Sequence, residues 1–431
     1  VGPAPARLAP PGAPGGASRA GAGPTGEGDG ATRPNVLILV GDDVGAELGC
    51  YGAVGLETPR LDRLAREGVR FTHAYAPTGV CAPSRATLLT GLEPARHGAL
   101  GFEPVRPGVA TFGPRLGAYG YRTGLLGKLG AKPLEQFPFD WMERTQRGDE
   151  GARDLEFHVR AFETFLDAFS ASGGQAGGAV EAGGVAEAIP FAFIVNFRDA
   201  HWPLPTDGAP AEPGVPVSPH DPARVAVPPV LMDTPPTRAE LARYHHALRR
   251  LDATAGALLD VLERRGLAQN TVVVFTSDNG PPFPRAKTTL YEWGVRQAFL
   301  LRWPDVVEPG RVDDRLVTLA DVLPTALDLA GAPEDARADL DGRSLVPLLR
   351  DEDPPWRSAV FGLHGTHRVG AEVPARSVRT ARWRYIWNPH PERDFENLGM
   401  EVSVAWSELV TAAERGDAHA RSIVAAIVRR P

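Results

Sequence analysis

The sequence predicts an α/β fold: a mostly parallel sheet sandwiched by helices, with a small C-terminal antiparallel β subdomain. Three observations carry this. Short apolar runs that read as buried parallel strands recur at 35–40, 121–127, 191–197 and 271–276. Segments of helical periodicity separate them, and such alternation implies parallel pairing with helices on both faces. From residue 359 onward, short β patterns at 359–362 and 376–387 replace the alternation.

Taken in order, residues 1–33 open the chain as a leader. Gly, Pro and Ala fill 23 of its first 32 positions, too few apolar side chains to bury a core, so disorder is expected. It lacks the apolar centre of a signal peptide. The run 35–40 ends in Gly41-Asp42-Asp43. Residues 58–67 then read as a helix, with Leu61, Leu64 and Ala65 at helical spacing. A second helix opens at Pro83, a residue tolerated in a first turn. A strand at 121–127 and an amphipathic helix at 157–169 follow. Gly and Ala dominate 170–190, which reads as a flexible insertion. After the strand at 191–197, the proline-rich stretch 203–236 reads as a long ordered surface loop. A long helix over 238–265 leads into the strand at 271–276. Short strands at 298–303 and 315–319 and a helix at 321–330 complete the pattern. The expected division is a catalytic domain over 34–355 and a small subdomain over 356–431.

Composition narrows the function. The 431 residues carry 46 Lys+Arg against 53 Asp+Glu, a net charge of −7, which argues against nucleic-acid binding through general positive charge. A hydrophobic fraction of 43% supports a substantial core, and no run is long enough to span a membrane as a helix. With 48 glycines and 42 prolines the chain exceeds ordinary usage, and that excess is concentrated in the leader, the insertion and the long loop. Only Cys50 and Cys81 are present, which excludes a disulfide framework and a cysteine-built zinc site. Cys50 has no motif around it and reads as an inert packing thiol.

Polar groups gather at strand ends, where open parallel sheets bind ligands. The first strand ends in Asp42-Asp43, the third in Arg198-Asp199-Ala200-His201, the fourth in Ser277-Asp278-Asn279-Gly280. A single aspartate there is ordinarily a turn former or helix cap. Adjacent carboxylates, however, repel unless a cation or partner compensates. Asp42, Asp43, Asp278 and Asn279 offer four oxygen-bearing side chains, a set suited to calcium or magnesium rather than zinc. Spacing alone leaves the metal site and the turn formers evenly matched. Cys81-Ala82-Pro83-Ser84-Arg85 lies at a helix start. Cys81 there is either a small buried hydrophobe or part of an anion site at the positive helix end, with Arg85 as a fixed charge beside it.

Cys81-Ala82-Pro83-Ser84-Arg85 followed by Ala86-Thr87-Leu88-Leu89-Thr90-Gly91 resembles the signature of the type I, formylglycine-dependent sulfatases. The resemblance runs from Pro34 to about Trp387. Asp42-Asp43 is similar to the family's metal pair and Gly127-Lys128 to its Gly-Lys. Asp199-Ala200-His201 stands for its Asp-Pro-His, and Thr276-Ser277-Asp278-Asn279-Gly280 for its second metal segment. Finer features resemble the heparan N-sulfatase (sulfamidase) branch. These are Pro138-Phe139-Asp140, Pro282-Phe283-Pro284 with Lys287, Val360-Phe361-Gly362 and Arg376-Ser377-Val378.

The resemblance implies an alkaline-phosphatase-like fold and a hydrolase releasing sulfate from a sulfated sugar, with N-sulfoglucosamine of heparan-type glycans as a candidate. It implies that Cys81 is converted to formylglycine by a separate generating enzyme, and that the hydrated aldehyde attacks sulfur. Asp42, Asp43, Cys81, Asp278 and Asn279 would hold Ca2+, with Mg2+ less favoured. Arg85 would steady the hydrate, Lys128 and Lys287 grip sulfate oxygens, and His201 protonate the leaving group. Asp199, His364, His367 and Arg368 would contact substrate. The family's histidine two places after the Gly-Lys lysine is missing: the run here is Gly127-Lys128-Leu129-Gly130, so glycine or a gap replaces it. Lys132 and His97 are near in sequence but read as solvated surface. The family's C-terminal segment is not matched, so an incomplete subdomain is expected. The family setting implies a periplasmic or secreted enzyme, whereas the lack of a visible signal peptide leaves the cytoplasm open. A homodimer is compatible with it. Two other functions stay open: a phosphonate or phosphate monoester hydrolase of the same superfamily, and a non-catalytic sulfated-glycan binder.

Overall fold

The computed structural model describes residues 33–145, 150–170, 189–205, 220–367, 372–395 and 402–428. Most of the expected leader, the insertion at 171–188 and part of the long loop lie outside the described residues. From Arg33 onward the chain forms one compact unit. Its main sheet has nine strands in the order β4-β3-β5-β1-β6-β8-β2-β7, with β9 added beside β2. The five on one side are parallel: β4 (Trp141–Glu143), β3 (Arg122–Gly127), β5 (Phe191–Asn196), β1 (Asn35–Gly41) and β6 (Thr271–Ser277). On the other side β8 (Phe299–Arg302) and β7 (Arg296–Gln297) pair antiparallel, while β9 (Arg311–Thr318) pairs parallel with β2 (Val69–Tyr75).

Two cores lie on the two faces, as alternation along each strand requires. Val36, Ile38 and Val40 point into one, beside Leu88 and Leu89 of the helix Cys81–Thr90 and Leu323 and Ala326 of the helix Val322–Leu329. Leu37 and Leu39 point into the other, beside Phe162 and Phe165 of the helix Leu155–Ser170 and Leu248 and Leu251 of the helix Pro235–Arg264. A central strand covered on both sides needs no polar face, which is why β1, β5 and β6 read as continuous apolar runs.

Three strands escaped the sequence pattern, among them the two-residue β7. β2 was not anticipated because its residues Val-Arg-Phe-Thr-His-Ala-Tyr mix buried and half-buried positions. β4 has only three residues.

The smaller sheet is antiparallel, with β10 (Ala359–Thr366), β11 (Glu372–Thr380) and β12 (Arg384–Trp387) in that order. Its inner face packs Val360 and Ala375 on Tyr75 and Leu290 of the main body. The polar run near the end forms two helices, Val404–Glu414 and Ala418–Val428, which bury Leu409, Ala420 and Ile427 with Phe395. Glu240 holds the first of them in place. Its carboxylate accepts the Val404 and Ala405 amides at 3.1 and 2.7 Å, countering the positive helix end. No helix among the described residues is long and apolar enough to cross a membrane.

Candidate active site

Strand order creates the site. β5, β1 and β6 are neighbours, so the polar residues that follow each strand meet at one edge although they lie far apart in sequence. Backbone bonds lock the three ends together: Ala200 N donates to Asp42 O at 2.9 Å, and Asp278 N to Gly41 O at 3.2 Å. Asp43 N donates to Asp278 Oδ1 at 3.1 Å. Asp43 itself has φ of 64°, in the left-handed region that aspartate tolerates better than most residues. That turn puts Asp42 and Asp43, adjacent in sequence, against different cations.

Lys128 Nζ donates to both Asp42 oxygens, at 3.0 and 2.7 Å. Lys287 Nζ donates to both Asp43 oxygens, at 2.6 and 2.7 Å. Arg85 Nε donates to Asp278 Oδ2 at 2.8 Å, and its NH2 lies 3.6 Å from Asp42 Oδ1. Three buried carboxylates therefore face three cations. Burial would raise the Asp42 carboxyl, but Lys128, His201, Arg85 and Lys287 outweigh it and hold the group well below the usual carboxylate range. Burial wins at Asp278, pushing its carboxyl up to about 7 despite Arg85. Burial opposes the charge of Lys287, yet Asp43 raises its proton affinity above the ordinary lysine value.

Cys81 is the first residue of its helix and is buried. Its sulfur lies within 4.8 Å of donor atoms of Asp42 and Asp278. Arg85, Lys128 and Lys287 all lie within electrostatic reach of it. The helix start is fixed from two sides: Ser84 Oγ donates to Asp278 O, and Thr288 N donates to Gly79 O at 2.7 Å. Thr288 has φ of 67°, a costly conformation for a β-branched residue, and it adjoins Lys287.

The donor set fits a hard divalent cation. Asp42, Asp43, Asp278 and Asn279 are almost fully buried. The Asn279 amide nitrogen donates to Asp43 Oδ1 and Gly280 O, whereas its buried Oδ1 has no hydrogen-bond partner. A buried acceptor without a donor, beside three carboxylates, is what an oxygen-rich cation site presents.

The remaining expected site residues separate. His201 joins the cluster: a ring nitrogen lies within 4.8 Å of oxygens of Asp42 and Asp43. Its Nδ1 pairs with the Trp202 carbonyl at 2.6 Å, so Nδ1 carries the hydrogen and Nε2 is left for chemistry. Burial, reinforced by Lys287, pushes its proton affinity down to about 4. Asp199 is ion-paired to Arg153 Nε at 3.0 Å and to Arg250 Nε at 3.2 Å. Arg153 also donates to the carbonyls of His201 and Pro203, so this pairing fixes the loop that carries His201. His364 is buried against the ring of Phe395, in the core of the C-terminal helices. His367, at the end of β10, stacks obliquely on Phe102. Burial and then Lys287 push its imidazole down to about 4, with Asp43, His201 and Lys128 also acting on it, so His367 faces the cluster. Its Nδ1 is buried without a hydrogen-bond partner. Arg368 lies outside the described residues.

His97 corrects the surface reading. It is fully buried, bonded through Nε2 to Thr87 Oγ1 at 3.0 Å, and burial pushes it down to about 4. It supports the helix of Cys81 from below. Lys132 is exposed. Cys50 is half-buried, its thiol pushed up to about 12 by burial and Asp62, hence unreactive. Asn196 went unnoticed in the sequence. It ends β5 and accepts from Arg85 NH1, and a polar residue closing an apolar strand was the available signal. Arg153 and Arg250 sit in no motif, so nothing local marks them.

Residues 34–332 match the family profile described as Sulfatase, and residues 285–398 the profile described as N-sulphoglucosamine sulphohydrolase, C-terminal. The chain is 32% identical to human N-sulphoglucosamine sulphohydrolase over 89% of this chain and 79% of that one. It is 31% identical to human arylsulfatase A over 77% of this chain and 70% of the relative. The phosphonate monoester hydrolase of Agrobacterium radiobacter has the same fold. It superposes with a TM-score of 0.66 at 18% identity, over 83% of this chain and 87% of that one.

Proposed function

The chain belongs to the sulfatase family, which makes it a hydrolase of sulfuric esters or sulfamates, and from that premise we propose that it removes sulfate from a sulfated sugar, foremost an N-sulfated glucosamine. The observation that supports this most is the placement of Cys81. Its sulfur lies within 4.8 Å of donor atoms of Asp42 and Asp278 and within electrostatic reach of Arg85, Lys128 and Lys287. Three cations around one nucleophile position suit a group with several anionic oxygens.

Asp42, Asp43, Asp278 and Asn279 would hold calcium, with the residue-81 side chain completing the set. Bound calcium supplies positive charge that screens the sulfate oxygens. Formylglycine at position 81 supplies a hydroxyl nucleophile through its hydrate. Lys128 and Lys287 release their carboxylates to that cation and turn their ammonium groups to the sulfate. Arg85, held by Asp278 and Asn196, keeps its guanidinium beside residue 81. His201, with its hydrogen held on Nδ1, presents a bare Nε2 to the leaving nitrogen or oxygen, where it would first take up a proton and then pass it to that atom. His367 adds a second imidazole on the sugar side. Residues 34–355 would carry the chemistry, and 356–431 would contribute to the sugar side. The reading also places the enzyme outside the cytoplasm, matured by a formylglycine-generating enzyme.

Parallel assays with a sulfamate, a sulfate ester and a phosphonate ester test the reading. Sulfamate or sulfate turnover should exceed phosphonate turnover and vanish in Cys81→Ser. Faster phosphonate turnover would overturn it.

A further inference from the structure

The outer face of the small sheet is aromatic and bare. Phe361, Trp383, Tyr385 and Trp387 are 67%, 67%, 65% and 44% exposed. Strand register gathers them on one side. Phe361 lies opposite Val378, which lies opposite Tyr385, and one step along Leu363 lies opposite Arg376, which lies opposite Trp387. Residues two apart in a strand share a face, so these two rows form one surface. A sheet face that merely meets water is ordinarily polar. Contiguous exposed aromatic side chains instead mark a binding surface.

Arginines divide between the two faces. The inward Arg379 and Arg384 both pair with Glu292, at 3.3 and 3.0 Å, and lie over the Tyr75 ring. The outward Arg376 lies over the Trp387 ring at 5.2 Å, and the adjacent Arg382 over Trp383 at 4.9 Å. Neither Arg376 nor Arg382 forms an ion pair among the described residues. The two outward rows carry no carboxylate.

We propose that this face, built on Phe361, Trp383, Tyr385, Trp387, Arg376 and Arg382, docks an extended sulfated polysaccharide, a proposal that rests on reading the pocket as a site for a sulfated sugar. Charge selects this occupant. In a second copy related by a two-fold axis, Arg376 and Arg382 would meet their own counterparts with no carboxylate to offset them. Sulfate groups of a polymer supply that charge, while flat rings receive the apolar faces of sugar rings. β10 joins the two places. It runs from the Phe361 row to Thr366, beside His367 at the pocket, so that the two places lie within about 20 Å at the rise of a strand. A polymer held on the sheet thus keeps sulfate groups at high local concentration near Cys81.

Tryptophan fluorescence of the intact chain, titrated with dextran sulfate and with unsulfated dextran, tests this. Dextran sulfate should quench fluorescence and dextran should not. In calorimetric titrations, which do not depend on the tryptophans removed, R376Q/R382Q and, separately, W383A/Y385A/W387A should each weaken dextran sulfate binding about tenfold or more. Turnover of a sulfated monosaccharide should be unchanged in R376Q/R382Q. Undiminished dextran sulfate binding in both variants would overturn the platform, as would a shift of W383A/Y385A/W387A to a smaller species on gel filtration. Loss of dextran sulfate binding in R376Q/R382Q, in a chain that turns over no sulfated sugar, would support the platform and sink the pocket reading instead.

Discussion

Lys287 Nζ lies 2.6 and 2.7 Å from the two carboxylate oxygens of Asp43, and the pair is buried. The ammonium thus sits on oxygens that a divalent cation would need. Calcium should raise the melting temperature, since a ligand that binds only the folded state stabilises it by about 2.7 kcal/mol at 100 times its Kd. Asn279→Ala should abolish most of that shift. Lys287→Ala should strengthen calcium binding, because it removes the competing charge, while lowering turnover. Thermal melts across a calcium titration check all three; weaker calcium binding in Lys287→Ala would contradict the competition.

Cys81 begins a buried helix whose fold does not require sulfur, so Cys81→Ser should keep its circular dichroism and melting temperature. Turnover of a sulfated sugar should fall by about a thousandfold or more, as for other removed nucleophiles. Peptide mass at residue 81 in the native producer should show the aldehyde.

Gly130, two places after Lys128, is required by the backbone at its position. Its φ is +74°, and an added Cβ would lie 2.5 Å from Arg85 Cδ. Gly130→Ala should therefore cost about 1–3 kcal/mol in urea unfolding. Because the clash falls on Arg85, turnover should drop as well. A stable and fully active Gly130→Ala would contradict this geometry.

Asp252 accepts the amides of Leu61 at 2.8 Å and Arg60 at 3.2 Å, capping the helix Pro59–Arg66. Burial pushes its carboxyl up to about 7, against the pull of those amides. The native state then holds the proton more tightly than the unfolded chain. Its contribution to stability is complete below about pH 4 and is lost as pH rises through about 7, at no more than about 1.4 kcal/mol per pH unit. Asp252→Asn should flatten the fall in unfolding free energy across that window.

His364 and His367 should respond differently. His364 is buried against Phe395, so His364→Ala should lower the melting temperature. His367 faces the cluster, so His367→Ala should raise KM for a sulfated sugar about tenfold with little change in stability. Equal effects of both on the melting temperature would contradict the separation.

Much of this was legible in the sequence. Strands buried on both faces must be continuously apolar, so β1, β5 and β6 announced themselves, and with them the fold class. Polar residues at their ends marked Asp42, Asp43, His201, Asp278 and Asn279 as candidates, because open parallel sheets bind ligands there, although turn formers explain single aspartates equally well. The Cys81 segment carried the reaction class through family resemblance. Tertiary structure alone decided which cation meets which carboxylate. Lys128 takes Asp42 and Lys287 takes Asp43, because a left-handed turn at Asp43 sends adjacent side chains apart. It also paired Asp199 with two arginines from distant segments, and separated His364, inside β10, from His367, just past its end. Local pattern records which residues are polar or apolar; partners hundreds of residues away are chosen only when the strands pair.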